Sequence, residues 1–241
     1  MYPILFSIGK INFYSYGLFA AISVIAVYFV MKQLAFKKQL NDNNLFDKVL
    51  LVFVCALIFS RISYFVLYNN QFDAWYEIFY VWNGGLISFG GIIGGFIAFL
   101  IVFKKDLIKW LDVIGVSFLL GASIWRIGGF LSGGNPGMIS NSFIAINNRI
   151  PTVLIESLIL FFIFLYFYNN FTKMKFPNGV IFWICLGAYG FIRIGIDFLR
   201  DYSGQSVKVL NTGQIAGLLM FVISGFAILY LVLYDRYRKR K

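Results

Sequence analysis

Residues 48–68 read Lys48, then VLLVFVCALIFS (49–60), then Arg61, then ISYFVLY (62–68). Arg61 is the only charged residue after Lys48 in this stretch. An α-helix rises about 1.5 Å per residue, so some 20 apolar residues cross a bilayer's hydrocarbon core of about 30 Å. The stretch is apolar on every face, which marks a helix surrounded by lipid or protein rather than a half-solvated one. It reads as a membrane-spanning helix with an arginine inside it.

Six further runs of this kind lie at 14–34, 86–103, 110–131, 151–170, 179–199 and 212–234. Composition agrees: 60% of the 241 residues are hydrophobic and 13% charged, against about half and a quarter in soluble domains. The links between runs are short. The expected fold is all-α: one polytopic bundle of seven transmembrane helices over residues 1–241, with no soluble domain. No basic n-region or cleavage-type sequence precedes the first run, so no removable signal peptide is expected. Cys55 and Cys185 sit in the middle of apolar runs and read as small packing residues.

The net charge of +11 would suit a nucleic-acid partner if it formed a basic face, but it is broken into clusters between apolar runs. Lys32, Lys37, Lys38 and Lys48 flank the first link; Lys104, Lys105 and Lys109 mark the third; Lys173 and Lys175 the fifth. Arg236, Arg238, Lys239, Arg240 and Lys241 form the tail. The alternate links carry only Lys10, Arg149, Arg200 and Lys208. Fourteen cations against four predict that the clustered links are cytoplasmic, with the N-terminus outside and the C-terminus inside. Trp75, Tyr76, Tyr80 and Trp82 crowd one outer boundary, as an interfacial aromatic belt does.

Charges within spans are expensive and usually mark a site. Arg61, Arg126, Arg193, Asp112, Glu156 and Asp197 are such charges. Structural pairing is one account: Asp197 follows Arg193 by four residues and shares its helix face. A site is the other. Every intramembrane cation is arginine, whose planar fork grips phosphate bidentately. Each occurs as Arg-Ile-Ser or Arg-Ile-Gly, 65 and 67 residues apart, on an outward-running helix past its midpoint. The pattern predicts that they meet in the outer half of the membrane, where lipid phosphates lie.

Behind Arg126 runs IGGFLSGGNPG (127–137), whose backbone N–H groups are candidates for an anion-binding nest. Gly84, Gly85, Gly90, Gly91, Gly94 and Gly95 open the third span. Four-residue glycine spacing favours close helix packing, and the run 84–91 equally suits lipid access to backbone. The chain has no histidine, which removes any histidine base, ligand or relay. A proton acceptor is then Glu156, Asp197, Asp112, a tyrosinate or a substrate phosphate. No metal or cofactor is expected.

In order and spacing these motifs resemble the prolipoprotein diacylglyceryl transferase family of bacterial membranes, from about residue 3 to residue 225. The resemblance rests on Pro3 to Gly9 with Tyr16-Gly17, Ser60 to Asn69, Trp82 to Gly91, Arg126 to Gly133, Pro151 to Glu156, Tyr189 to Arg193, Asp197 to Arg200 and Thr212 to Gln214. It implies a seven-helix enzyme of the cytoplasmic (inner) membrane. Such an enzyme would move the diacylglyceryl group of phosphatidylglycerol to the lipobox cysteine of a preprolipoprotein and release glycerol phosphate. It implies that Arg126 holds the lipid phosphate, that Arg193 is essential, and that Tyr16 and Glu156 lie near the site. Together the two lines of reading make Arg126, Arg193 and Glu156 the candidate catalytic residues. Tyr16, Arg61, Gly90, Gly91, Gly133, Asn135, Gly137 and Arg200 are the candidate substrate-binding residues.

The chain departs from the family pattern at Phe89 and Ile150, where histidines are usual, at Gly129 in place of asparagine, and at Gly134 in place of an acid. The outer loop 132–150 replaces a larger head region. Two alternatives therefore stand beside the transferase: a family enzyme serving another acceptor with the same lipid, and a non-catalytic lipid-binding membrane protein.

Overall fold

The computed structural model describes the chain except residues 1, 9–10, 41, 73, 81–84, 203–209 and 241, and the side chains of 8, 11–13, 71, 88–89, 212 and 240. Lys10, Trp82, Gly84, Lys208, Lys241 and the side chain of Phe89 thus lie outside the described residues.

The described residues form seven α-helices: α1 (Ser15–Lys37), α2 (Leu45–Leu67), α3 (Ser88–Val102), α4 (Leu107–Leu131), α5 (Thr152–Asn170), α6 (Val180–Asp197) and α7 (Thr212–Arg240). Six are long and apolar enough to cross a membrane; α3 is shorter. The protein is a multi-pass membrane protein. One element was not expected. Residues before α1 form an antiparallel hairpin, β1 (Ile4–Ile8) with β2 (Ile11–Tyr14), tied to α1 by the Ser15 N–H and hydroxyl, which both donate to Pro3 O.

The chain divides into two compact units, Met1–Leu40 with Leu111–Lys241, and Asn41–Trp110. In the smaller unit, α3 lies on α2 through its glycines. A Cβ at Gly90 would overlap Ser63 and Phe59 O, and one at Gly94 would overlap the Phe59 side chain. Gly91 and Gly95 also face α2, with ordinary to tight clearance to Ala56 and Ser60. The glycine run therefore makes a close helix contact, and Gly90 and Gly91 sit in it. Phe99, Phe103 and Trp110 meet in tilted pairs at centroid distances of 4.8 and 4.9 Å, all three buried.

α3 begins later than the apolar run because Gly85 is in the left-handed region at φ 77° and its carbonyl accepts from Arg61 Nη1 at 3.1 Å. Residues 85–87 accordingly lack regular secondary structure, with Ile87 extended just before the helix. Past α2, two 3-10 turns at Asn69–Gln71 and Trp75–Phe79 carry the exposed aromatics Trp75, Tyr76, Phe79 and Tyr80.

In the larger unit α4 touches three neighbours. Its Gly115 abuts Phe182 of α6, and its Gly121 and Gly128 receive Val27 and Phe19 of α1. Against α5, Ser123 and Ser157 exchange bonds: each hydroxyl donates to the other's carbonyl, at 2.9 and 2.7 Å. Such paired small polar residues join helices where lipid offers no hydrophobic drive. α6 and α7 approach through Gly187, Gly190, Gly217 and Ser224; a Cβ at Gly190 would stand 2.6 Å from Gly217 O.

Asp112, fully buried on α4, is accounted for at the start of α6. Its carboxylate accepts the N–H groups of Gly179 (2.9 Å) and Phe182 (3.1 Å) and pairs with Lys38 Nζ (2.6 Å). The first N–H groups of a helix have no partner within it and favour negative charge. Here that charge comes from a neighbouring helix.

A buried arginine–carboxylate cluster

Tyr189, Arg193 and Asp197 follow one another at four-residue steps and so share a face of α6. Arg200 lies just past the helix end. Arg126, near the end of α4, and Glu156, in the second turn of α5, face them. Glu156 has no exposed surface and stands among three guanidiniums: Arg126 at 2.8 Å, Arg200 at 3.4 Å and Arg193 at 3.5 Å. Asp197, also buried, contacts Arg200 at 3.2 Å and Arg193 at 3.6 Å. The expected pairing of Arg193 with Asp197 is therefore present, within a larger set.

Three arginines against two carboxylates leave the cluster one positive charge in excess. Its geometry is loose as well. Glu156 Oε1, Arg193 Nη1, Asp197 Oδ1 and Arg200 Nε are buried without an aligned hydrogen bond. The 2.8 Å approach of Arg126 to Glu156 Oε1 is thus a charge contact, while Arg126 Nη2 donates to the Tyr189 hydroxyl at 3.0 Å. Buried donors left unmatched cost about 1–3 kcal/mol each, more when charged. An anion that accepted from them would remove that cost and the excess charge together.

The surroundings hold the cluster in place. Trp125, beside Arg126, meets Tyr16 edge to face at 4.6 Å. The Tyr202 hydroxyl donates to Asp197 Oδ2 at 2.9 Å; burial and the carboxylate beside it raise the phenol above its ordinary pKa. α7 begins against the same carboxylate: a Cβ at Gly213 would fall 2.9 Å from Asp197 Cγ and 3.1 Å from Arg193 Nη2. Gln214 Oε1 accepts the Asn211 N–H at 3.0 Å, reaching back as in a capping box. Tyr189 and Gly213 entered the sequence reading only as positions within matched motifs, and Tyr202 not at all; Tyr189 meets Arg126 across the fold, while Tyr202 turns back to Asp197 just past the end of α6.

The glycine-rich loop behaves differently from the expected nest. The N–H groups of Ser132, Gly133 and Gly134 donate back to Gly128, Phe130 and Gly129 carbonyls, closing α4 with Gly133 at φ 81°. Asn135 Oδ1 is 3.5 Å from Arg200 Nη1. Gly137 forms a bridge with Arg200, where Met138 N donates to Leu199 O and Asp201 N to Pro136 O. A side chain at Gly137 would overlap Ile150 O. Gly133, Asn135 and Gly137 thus shape the end of α4 and tie it to Arg200.

Arg61 belongs to the smaller unit. It is 5% exposed, and its fork donates to the carbonyls of Glu77 (2.8 Å), Ile78 (2.9 Å), Tyr80 (3.1 Å) and Gly85.

Comparison with known proteins agrees with the arrangement. The family profile described as prolipoprotein diacylglyceryl transferase matches residues 3–230. The chain belongs to the prolipoprotein diacylglyceryl transferase family. Among similar family members, the phosphatidylglycerol–prolipoprotein diacylglyceryl transferase of Clostridium tetani (strain Massachusetts / E88) is 26% identical, with all of both chains aligned. That of Staphylococcus aureus (strain Newman) is 30% identical over 95% of this chain and 88% of its own length. That of Buchnera aphidicola subsp. Acyrthosiphon pisum (strain Tuc7) is 28% identical over 97% of each. The family match runs through every member of the arginine–carboxylate cluster.

Proposed function

We propose that this chain transfers the diacylglyceryl group of phosphatidylglycerol to the cysteine thiol of a prolipoprotein. The observation that carries the reading is the buried cluster of Arg126, Arg193 and Arg200 with one charge more than Glu156 and Asp197 balance. In the reaction the thiol sulfur bonds to the glyceryl carbon, the carbon–oxygen bond to phosphate breaks, and its electron pair leaves on glycerol phosphate. The thiolate is the nucleophile, and its proton ends on the departing phosphate or on a neighbouring carboxylate. Arg126 binds the lipid phosphate, and Arg193 stabilises the charge that grows on it as the bond breaks. Glu156 keeps the arginines from repelling one another, and Tyr189 orients Arg126. Tyr16, Arg200, Asn135, Gly133 and Gly137 border the lipid headgroup.

The same reading places seven spans as one bundle in the bacterial cytoplasmic (inner) membrane, with the N-terminus outside. Arg61, Gly90 and Gly91, the candidate lipid-binding residues of the smaller unit, hold α3 and the outer segment of that unit in shape. The test is purified protein with phosphatidylglycerol and a lipobox peptide. The peptide should gain the diacylglyceryl mass as glycerol phosphate appears. Binding of the lipid with the thiol left unmodified would overturn the acceptor assignment.

A further inference from the structure

The loop between α4 and α5 has the chemistry of a membrane-inserted segment rather than of a water-facing one. From Ser132 to Ile150 its only charged residue is Arg149. A soluble segment of this length would carry about a quarter charged residues. Arg149 itself is paired within the protein, donating to Gly137 O at 3.1 Å and meeting Asp201 at 2.7 Å. Yet Phe143 is fully exposed, Ile139 is 72% exposed, and Met138, Ile144 and Ile146 are uncovered too.

The second observation is independent of side chains. The backbone of the loop bonds to itself. Ser140 N donates to Asn148 O, Ala145 N to Ser142 O, and Ile150 N to Met138 O. Ile146 and Arg149 exchange both bonds around Asn147 and Asn148, which are left-handed at φ 52° and 60° as a tight hairpin turn requires. Ser142 N donates to the Ser140 hydroxyl oxygen. Backbone paired this way enters a low-dielectric layer without the usual penalty.

Position supplies the occupant. The loop joins the ends of two helices long and apolar enough to span, so it starts and finishes at a bilayer face. Ser15 and Phe19 of α1 lie against Gly128 at this end of the unit, and the hairpin before α1 exposes Tyr2, Leu5, Phe6 and Tyr14 there.

We infer that residues 138–146 insert into the interfacial layer of the lipid bilayer, with Phe143 as the deepest anchor. This goes beyond the transferase reading and does not depend on it. The test uses full-length protein with Cys55→Ser and Cys185→Ala, carrying a nitroxide at Phe143→Cys or Ile139→Cys, in nanodiscs containing phosphatidylglycerol. Lys175→Cys, in an exposed polar link, serves as the water-side reference. Both loop labels should collide several-fold more with oxygen, relative to a water-soluble nickel chelate, than the reference label does. Accessibility equal to the reference at both positions would overturn the inference. So would protection from the chelate that arises only on adding lipobox peptide, which would make the loop a peptide-binding surface. The readout needs no turnover, so an inactive protein with inserted labels would sink the transferase reading alone.

Discussion

Arg61, Arg126 and Arg193 share a similar local sequence, Arg-Ile followed by Ser or Gly, yet end in different company. Arg61 meets four backbone carbonyls, which fill its fork and hold the outer segment. Arg126 and Arg193 meet side chains, two of them carboxylates that cannot balance three guanidiniums. We expect Arg126→Lys and Arg193→Lys to lower the transfer rate about a hundredfold, since lysine keeps the charge but loses the fork. Arg61→Lys should lower the unfolding temperature more than the rate. Near-full activity in both of the first two variants, assayed after reconstitution, would leave the cluster a structural ion network. An arginine within an apolar run is visible in sequence because the anomaly is local. What fills its fork is not, because carbonyls such as Ile78 O and Gly85 O have no side-chain signature. Much the same holds for Asp112: its charge stood out, but besides Lys38 its partners are N–H groups at the start of a helix 67 residues on.

At the scale of elements, hydropathy located the helices well. The expected spans 110–131, 151–170 and 179–199 became Leu107–Leu131, Thr152–Asn170 and Val180–Asp197. It missed the β1–β2 hairpin, whose strands are only five and four residues long. It also stopped α7 at 234, because the charged tail that ends the apolar run still has helical pairing, with Asp235 bonded to Lys239 one turn on. Helix contacts were legible as glycine spacing but not as partners. Gly190→Ala tests one of them. Its Cβ would press on the Gly217 carbonyl, and relief requires α6 and α7 to part. Overpacking of this kind costs about 1–3 kcal/mol. Gly195→Ala, on the same helix with nothing within 4 Å of the new Cβ, should be neutral or slightly stabilising. Thermal unfolding in one detergent would compare them, and equal midpoints would contradict the packing assigned to Gly190. Because Gly190 lies three residues before Arg193, Gly190→Ala should also slow transfer.

For the whole molecule, the basic links predict sidedness. A cysteine placed at Asn70 should react with an impermeant reagent from outside intact cells, and those at Lys105 and Lys173 only after permeabilisation. A reversed pattern would change the number of crossings. α3 raises a separate matter, that of membrane thickness. Its 15 residues reach about 22 Å, whereas a typical hydrocarbon layer is about 30 Å. α2, against which it packs, has 23 residues and reaches about 34 Å. A short helix fixed beside a long one leaves the bilayer to adapt, by thinning around α3. Transfer should therefore be faster in bilayers of short acyl chains than in those of long ones, at constant phosphatidylglycerol content. A flat dependence on chain length would mean that α3 is shielded from lipid. With thinning, headgroups beside α3 ride deeper than elsewhere in the leaflet, a local dimple in the membrane surface.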